Sequence, residues 1–153
     1  MNLKINDSAP EFELFDQGGE LHRLADYKGK RVVLYFYPRD DTPGCTTEAC
    51  SFRDNFADYK AAGISVLGVS ADTVKSHAKF AEKFDLPFTL LADPDHKVCE
   101  LYGVWGEKTF MGRKFMGINR TTFLIDEEGN IKEIMPQVKP QGHAEDVLKK
   151  FNA

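Results

Sequence analysis

Runs of apolar residues alternate along the chain with segments in which apolar residues recur every three or four positions. Residues 32–37 and 64–69 are continuous apolar runs rich in β-branched and aromatic side chains, which predicts strands buried on both faces. Between them, residues 43–62 place apolar side chains at helical spacing, and Gly63 follows as a helix terminator. This part of the chain therefore predicts a strand, a helix and a second strand.

The same two patterns predict the rest of the chain. The expected order is helix, strand, helix, hairpin and helix, at residues 72–84 (with Asp72 or Thr73 as the N-cap), 88–91, 94–102, 121–135 and 143–151. Residues 103–117 are too rich in glycine for a regular element, so we predict a long loop there. We expect its apolar side chains to pack in the core. The alternatives are that they form the wall of a pocket or a docking surface.

Two short strands around Gly18 and Gly19 precede these elements and predict an N-terminal β-hairpin. The whole order predicts an α/β fold with a mixed central sheet and helices on both faces. Because no repeat, linker or low-complexity stretch divides the sequence, we expect residues 1–153 to form a single domain. In such sheets the reactive loops follow the carboxyl ends of strands, which points to the segment after residues 32–37.

Composition and charge exclude several classes of function. The formal net charge of −4 argues against nucleic-acid binding, which needs a concentrated basic face. The N-terminus lacks the apolar stretch of a secretory signal, and no apolar run is long enough to cross a bilayer. We therefore expect a cytoplasmic protein without a membrane partner, in a compartment where its three cysteines stay reduced.

The segment from Pro38 to Cys50 carries the candidate chemistry. Pro43 suits the first position of a helix, which makes Thr42 the N-cap and places Cys45 in the first turn. The backbone N–H groups of Gly44 and Cys45 then have no helical partner and can bind an anion or stabilise a thiolate. The alternative is that Cys45 is a small buried residue without reactivity.

Cys50 follows Cys45 by five positions, which on a helix means a rise of about 7.5 Å and a rotation of about 140°. A disulfide needs Cα atoms within about 7 Å and aligned Cβ vectors, so the two cannot bond while the helix is intact. If they pair, the first turns must unwind, and we predict a switch from helix when reduced to loop when oxidised. The alternative is that Cys50 is only a core residue.

The spaced motif Pro38-x-x-x-Thr42-x-x-Cys45 resembles the active-site signature of the peroxiredoxins. Thr42-Pro-Gly-Cys45, followed by Thr-Thr-Glu-Ala-Cys50, is similar to the peroxiredoxin Q, or bacterioferritin comigratory protein, subfamily. The resemblance extends over nearly the whole chain, including Arg120-Thr-Thr-Phe-Leu-Ile-Asp126. It implies a thioredoxin-like fold and reduction of hydrogen peroxide or organic hydroperoxides.

The resemblance also implies a role for each residue of the motif. Cys45 would be the peroxidatic cysteine and Cys50 the resolving one, joined in an intrachain disulfide that thioredoxin reduces. Thr42 would hydrogen-bond the thiolate and the peroxide, and Pro38 would shield the pocket from water. The subfamily further implies a monomer, and the chemistry requires no metal or other cofactor.

Arg120 and Glu48 complete the set that the resemblance implies. Arg120 would hold the thiolate and polarise the O–O bond, and its fork can address two oxygens at once. Glu48 would orient Arg120, which matters because a bare carboxylate three residues after Cys45 would disfavour the thiolate. The alternative for Arg120 is a surface salt bridge.

Four other residues, His96, Cys99, His22 and His143, are of types that could bind a metal or act in catalysis, but their sequence context favours neither role. His96 and Cys99 have the spacing of a zinc pair, but further ligands at credible spacing are missing. We interpret Cys99 as structural, with a second resolving role as the alternative. His22 and His143 are isolated, and we expect them at the surface or at helix caps.

Two other functions would use the same cysteine pair. A thiol–disulfide oxidoreductase acting on proteins shares the fold, although the Cys-x-x-Cys spacing that it normally uses is absent. A non-catalytic redox sensor would expose a binding surface after oxidation. It would react slowly with peroxide and show no sustained turnover.

Overall fold

The structure, a computed structural model, describes residues 3–152. Within this range, strands and helices alternate along most of the chain. They are β1 (Glu13–Asp16), β2 (Leu21–Arg23), a 3-10 helix (Leu24–Tyr27), β3 (Arg31–Phe36), α1 (Pro43–Asp54), α2 (Phe56–Ala61), β4 (Ile64–Ser70), α3 (Val74–Phe84), β5 (Thr89–Ala92), α4 (Lys97–Leu101), β6 (Trp105–Phe110), β7 (Arg113–Ile118), β8 (Thr121–Ile125), β9 (Ile131–Met135) and α5 (His143–Phe151).

One seven-stranded sheet forms the centre of the molecule, with the strand order β2-β1-β5-β4-β3-β8-β9. Strands β3, β4 and β5 are parallel, and β8 runs antiparallel to β3. The N-terminal hairpin β1–β2 joins the sheet through an antiparallel pairing of β1 with β5. The mixed sheet and the N-terminal hairpin agree with the sequence prediction.

Strand β3 is buried because both faces of the sheet are covered. Val33 and Tyr35 point to the face covered by α1, α2, α3 and α5, where they pack with Phe52 and Phe80. Val32, Leu34 and Phe36 point to the opposite core, which contains α4. A strand covered on both sides needs apolar residues at every position, which explains the continuous run in the sequence.

The path of β3 and β8 positions the candidate site. Because the two strands are antiparallel, the carboxyl end of β3 lies beside the beginning of β8, with Phe36 opposite Thr121. The loop after β3 leads to α1 and Cys45, and Arg120 comes immediately before β8. Segments far apart in the sequence thus meet at one edge of the sheet.

The helix predicted over residues 43–62 is in fact two helices. Asn55 separates α1 from α2, with φ −106° and ψ 10°, and its side-chain amide donates to the carbonyl of Ser51 at 2.9 Å. Asparagine competes in this way with the regular helical hydrogen bonds, which explains the break. The helix expected at residues 94–102 is also shorter, at Lys97–Leu101.

The loop predicted over residues 103–117 is wrong, because most of this segment forms the hairpin β6–β7. Its register runs from Trp105 opposite Ile118 to Phe110 opposite Arg113, and Met111 and Gly112 turn the chain with positive φ. Most of the hairpin is exposed, so its side chains lack the alternation that identifies a half-buried strand. Within residues 3–152, none of the helices is both long and apolar enough to span a membrane.

Candidate active site

Cys45 lies in the first turn of α1, as predicted. Thr42 is the N-cap, Pro43 is the first helical residue, and the N–H of Thr46 donates to the carbonyl of Thr42 at 2.8 Å. The N–H groups of Gly44 and Cys45 precede this first helical bond and have no partner within the helix. They create a positive backbone environment around the sulfur.

The hydroxyl of Thr42 has a different partner from the one that the family resemblance implies. It donates to the carbonyl of Arg39 at 2.9 Å. Among residues 3–152 no hydrogen bond joins it to Cys45. Pro38, the other motif residue of this loop, is half-buried directly before the loop residues that lead to α1.

Arg120 brings together the two acidic groups of the site. Its Nη2 lies 3.3 Å from Sγ of Cys45, and its Nη1 donates to Oε1 of Glu48 at 2.6 Å. Cys45 and Glu48 are buried, with exposed fractions of 1% and 0%. The guanidinium therefore makes a two-pronged contact that a surface salt bridge would lack.

Glycine at position 44 makes room for that contact. A Cβ atom at Gly44 would lie 3.1 Å from Nη2 of Arg120 and 3.4 Å from Cγ of Pro140. Most side chains at this position would push the guanidinium away from the helix N-terminus. The glycine thus permits a close approach of Arg120 to Cys45.

Burial and charge shift the pKa values of Glu48 and Arg120, the ion pair beside Cys45. Burial raises the pKa of Glu48 from 4.5 to about 7, although Arg120 opposes the shift. Burial by itself would lower the pKa of Arg120, but the charges of Glu48 and Cys45 raise it above its ordinary value. Arg120 remains charged, while the Glu48 carboxyl ionises in the neutral range.

His143 belongs to this cluster, and the sequence prediction of a surface or capping residue is wrong. Its exposed fraction is 2%, and Nε2 lies 2.8 Å from Oγ1 of Thr122 and 3.8 Å from Oε2 of Glu48. Burial lowers the pKa of His143 to about 4, so the ring is neutral at neutral pH. No local motif indicates this position, because the packing of α5 against α1 creates it.

Tyr35 extends the cluster beneath Cys45. Its ring packs on Phe52 with the centroids 4.8 Å apart, and its hydroxyl is buried without a hydrogen-bond partner among the described residues. Burial, and then the negative charge of Glu48, raise the pKa of Tyr35. The hydroxyl therefore remains a neutral group beside the site.

The three cysteines lie in different environments. Cys45 and Cys50 both belong to the intact helix α1, Cys50 is half-buried, and neither forms a disulfide. Cys99 is completely buried in the core on the opposite side of the sheet. Burial and the nearby carboxylate of Asp93 raise the pKa of Cys99, which suppresses its thiolate.

His96, which has the sequence spacing of a zinc pair with Cys99, stacks on Trp105 with ring centroids 4.0 Å apart.

A buried network that sequence reasoning missed holds the loop before α1. Asp40 accepts hydrogen bonds from the hydroxyls of Tyr37 (2.5 Å) and Ser76 (2.8 Å) and lies 2.7 Å from Nδ1 of His77. Nε2 of His77 donates to the carbonyl of Leu91 at 2.9 Å. The loop is thereby tied to α3 and β5.

Two groups of side chains between residues 3 and 152 have the geometry to bind a metal ion. One is Asp40, Asp72 and His77, and the other is Asp16, Glu20 and His22, each with its ligand atoms within 4.8 Å of one another. Hydrogen bonds within the molecule already use most of these atoms, including both ring nitrogens of His22 and His77. Neither group is part of the Cys45 cluster.

The chain is similar to known proteins over almost its full length. The AhpC/TSA family matches residues 5–134. Peroxiredoxin Bcp of Escherichia coli is 51% identical over 146 residues, which cover 95% of this chain and 94% of that protein.

Two solved structures share the fold. A crystal structure of peroxiredoxin Q from Xylella fastidiosa, a cysteine-to-serine mutant, has a TM-score of 0.94 and 38% identity, with 99% of this chain and 97% of that chain covered. The bacterioferritin comigratory protein of Xanthomonas campestris, described for its alkyl peroxide reduction activity, has a TM-score of 0.87 and 39% identity, with 92% and 90% covered. The predicted thioredoxin-like fold and family are confirmed. The chain belongs to the AhpC/TSA family and, within it, to the peroxiredoxin Q (bacterioferritin comigratory protein) subfamily of thiol-dependent peroxidases.

Proposed function

We propose that this peroxidase uses Cys45 as the nucleophile that attacks hydrogen peroxide and organic hydroperoxides, within one domain that spans the chain. The observation that carries the proposal is the 3.3 Å contact between Nη2 of Arg120 and Sγ of Cys45 at the N-terminus of α1. A cation and a helix N-terminus at the same sulfur favour the thiolate. The organic substrates are supported by the alkyl peroxide reduction of the similar Xanthomonas protein.

The surrounding groups suit the charges of the reaction. The Cys45 thiolate attacks one peroxide oxygen, the O–O bond breaks, and the bond electrons leave with the other oxygen as RO⁻, which a proton converts to ROH. We assign Arg120 and the N–H of Gly44 to stabilisation of this developing anion. We assign Thr42 to contact with the bound peroxide and Pro38 to exclusion of water.

We assign Cys50 as the resolving thiol. Its sulfur attacks the Cys45 sulfenic acid, so that an S–S bond forms and water leaves. Both residues lie on the intact α1, where a separation of five positions prevents bonding. The oxidised protein must therefore unwind the beginning of α1, and Glu48 then loses its place beside Arg120.

A dithiol must then reduce the disulfide, and we propose thioredoxin as this reductant. Two cysteine thiols per turnover suffice for the cycle, so the chemistry needs no metal, haem or flavin. The monomeric state and the cytoplasmic location remain predictions from the sequence.

The test maps the cysteines after a single turnover. Reduced protein is mixed anaerobically with one equivalent of hydrogen peroxide, quenched by alkylation and analysed by mass spectrometry, beside the variants Cys50→Ser and Cys99→Ser. We expect a Cys45–Cys50 disulfide in the native chain and in Cys99→Ser, and a Cys45 sulfenic acid in Cys50→Ser. If all three cysteines stay free, Cys45 is not the nucleophile and the redox-sensor function becomes the better explanation.

A further inference from the structure

Two acidic groups share one cation in the active site. Sγ of Cys45 and Oε1 of Glu48 contact different nitrogens of the same Arg120 guanidinium. If both groups were ionised, the buried site would hold two negative charges and one positive charge. An unbalanced charge away from water is costly, so the two ionisations oppose each other.

Among residues 3–152, no second cation compensates Glu48 from the other side. Its Oε2 is buried and makes no hydrogen bond to any residue between 3 and 152. The nearest candidate is Nε2 of His143 at 3.8 Å, and burial keeps that ring neutral. Within the described part of the chain, an ionised Glu48 is therefore satisfied only through Arg120, for which it competes with the Cys45 thiolate.

The remaining groups around the pair do not remove this competition. Tyr35 from β3 and Thr122 from β8 are neutral hydroxyls, and Asp146 of α5 is exposed near His143. Lys108 of β6 is close enough to Arg120 and Cys45 for their charges to influence its pKa, but its ammonium donates to the carbonyl of Ile118. Lys108 forms no ion pair with Glu48 in residues 3–152.

We propose that Cys45 and Glu48 share a single proton across Arg120, so that the sulfur and the carboxyl are not ionised at the same time. The inference rests on the proposed role of Cys45 as the nucleophile. In the resting enzyme the thiol S–H bond breaks as the Glu48 O–H bond forms, and Arg120 shifts its main pairing from the carboxylate to the thiolate.

The proton balance of peroxide reduction follows from this exchange. The thiolate takes one oxygen of ROOH as the sulfenic acid and releases RO⁻. The proton held by Glu48 then converts RO⁻ to ROH, with solvent as the carrier where needed. Glu48 thereby returns to the ionised form that pairs with Arg120, and no proton is gained or lost overall.

The variant Glu48→Gln tests the proposal, because its amide oxygen can still accept from Arg120 but never ionises. The pH dependence of Cys45 alkylation by iodoacetamide, followed by mass spectrometry, gives the midpoint of thiolate formation. We expect the midpoint in Glu48→Gln to lie about one unit or more below that of the native protein, because the competing anion is gone. A midpoint that is unchanged or higher overturns the proposal and leaves Glu48 as an orienting residue only.

The matched control is Glu107→Gln, which makes the same change in net charge on the exposed hairpin. It should leave the Cys45 midpoint where it is in the native protein. A shift equal to that of Glu48→Gln would show that net charge explains the effect and would overturn the proposal.

A second measurement covers the case in which Glu48→Gln does not fold. Coupling between two titrating groups is reciprocal, so removal of the Cys45 ionisation must ease that of Glu48. In Cys45→Ser, the infrared band of the protonated carboxyl should disappear at a lower pH than in the native protein, and coincident titrations would overturn the proposal. The same variant separates the two claims: if Cys45→Ser still reduces peroxide, the proposed function itself is wrong.

Discussion

A Cβ atom at Gly44 would lie 3.1 Å from Nη2 of Arg120, the same nitrogen that contacts the sulfur of Cys45. The N-terminus of α1 and the guanidinium thus meet with no space for a side chain between them. The residue type in the first turn of α1 thus constrains the position of Arg120, the cation directly before β8. This contact also makes the approach of Arg120 sensitive to a single methyl group.

The variant Gly44→Ala tests this sensitivity. The alanine methyl should displace the guanidinium by a few tenths of an ångström, because 3.1 Å is tighter than an ordinary contact with Cβ. We expect the second-order rate with hydrogen peroxide, measured by stopped flow, to fall about tenfold, or about 1.4 kcal/mol in activation free energy. Thermal stability should change little, because the higher helix propensity of alanine offsets the cost of displacing the guanidinium.

Gly18→Ala is the control for that measurement, since a Cβ there meets only Oδ1 of Asp16, at 3.4 Å. It should react with peroxide at the native rate. A native rate in Gly44→Ala as well would show that Arg120 adjusts without loss.

Arg120→Lys separates charge from geometry. Lysine keeps the positive charge, but one ammonium group cannot reproduce the contacts of two nitrogens with Cys45 and Glu48. We expect the peroxide rate to fall by about 100-fold, a loss typical for an electrostatic donor at a reacting centre. The control is Arg23→Lys, because Arg23 is exposed and paired with Glu13. This variant should react with peroxide at the native rate. A rate within about threefold of native in Arg120→Lys would show that the positive charge of Arg120, and not its two-nitrogen geometry, explains its contribution.

Glu48 and His143 should give opposite contributions to the pH dependence of stability. Burial raises the pKa of Glu48 from 4.5 to about 7, so its contribution is complete below 4.5 and is lost as the pH rises through 7. Burial lowers the pKa of His143 from 6.5 to about 4, so its contribution is complete above 6.5 and is lost as the pH falls through 4. Between pH 4.5 and 6.5 the two slopes oppose each other.

Glu48→Gln removes one of these slopes and exposes the other. Relative to the native protein, its free energy of unfolding in urea should rise with pH across this window, by about 1.4 kcal/mol per pH unit. His143→Gln should show the reverse, a free energy of unfolding that falls with pH relative to the native protein. Curves parallel to that of the native protein in both variants would mean that neither group changes its ionisation on folding.

Asp40→Asn should weaken the anchor of the loop before α1. The carboxylate of Asp40 is almost completely buried and is held by Tyr37, Ser76 and His77. Asparagine has one acceptor oxygen where Asp40 has two, so at least one buried partner loses its hydrogen bond, which costs about 2 kcal/mol in the free energy of unfolding. The neighbouring Asp41→Asn is the control, because its pair with Lys83 is exposed and contributes about 1 kcal/mol at most. Similar losses in the two variants would contradict the anchoring role.

Local patterns in the sequence predicted much of the fold. The hairpin β8–β9 and helix α5 span the predicted residues 121–135 and 143–151, because apolar runs, a polar turn and an amphipathic segment specify them without distant partners. The position of Cys45 in the first helical turn is readable from Thr42 and Pro43. The hairpin β6–β7 escaped prediction because its exposed side chains show no alternation.

Long-range packing determines the parts of the site that the sequence did not indicate. His143 reaches Glu48 because α5 packs against α1, and His77 reaches Asp40 because α3 lies beside the loop. Neither histidine has a recognisable motif around it. The contact of Arg120 with Glu48 was expected only through the family resemblance, and its geometry depends on the antiparallel pairing of β3 with β8.

The complete burial of Cys99 gives the protein an internal probe of its own folding equilibrium. Reagents reach this thiol only when the core opens, so its labelling rate in native buffer measures the population of molecules in which the core around α4 is open. Cys45 and Cys50 report on the first helix of the same chain. One alkylation time course, resolved by peptide, would therefore compare local fluctuation of the reactive helix with opening of the core in a single sample.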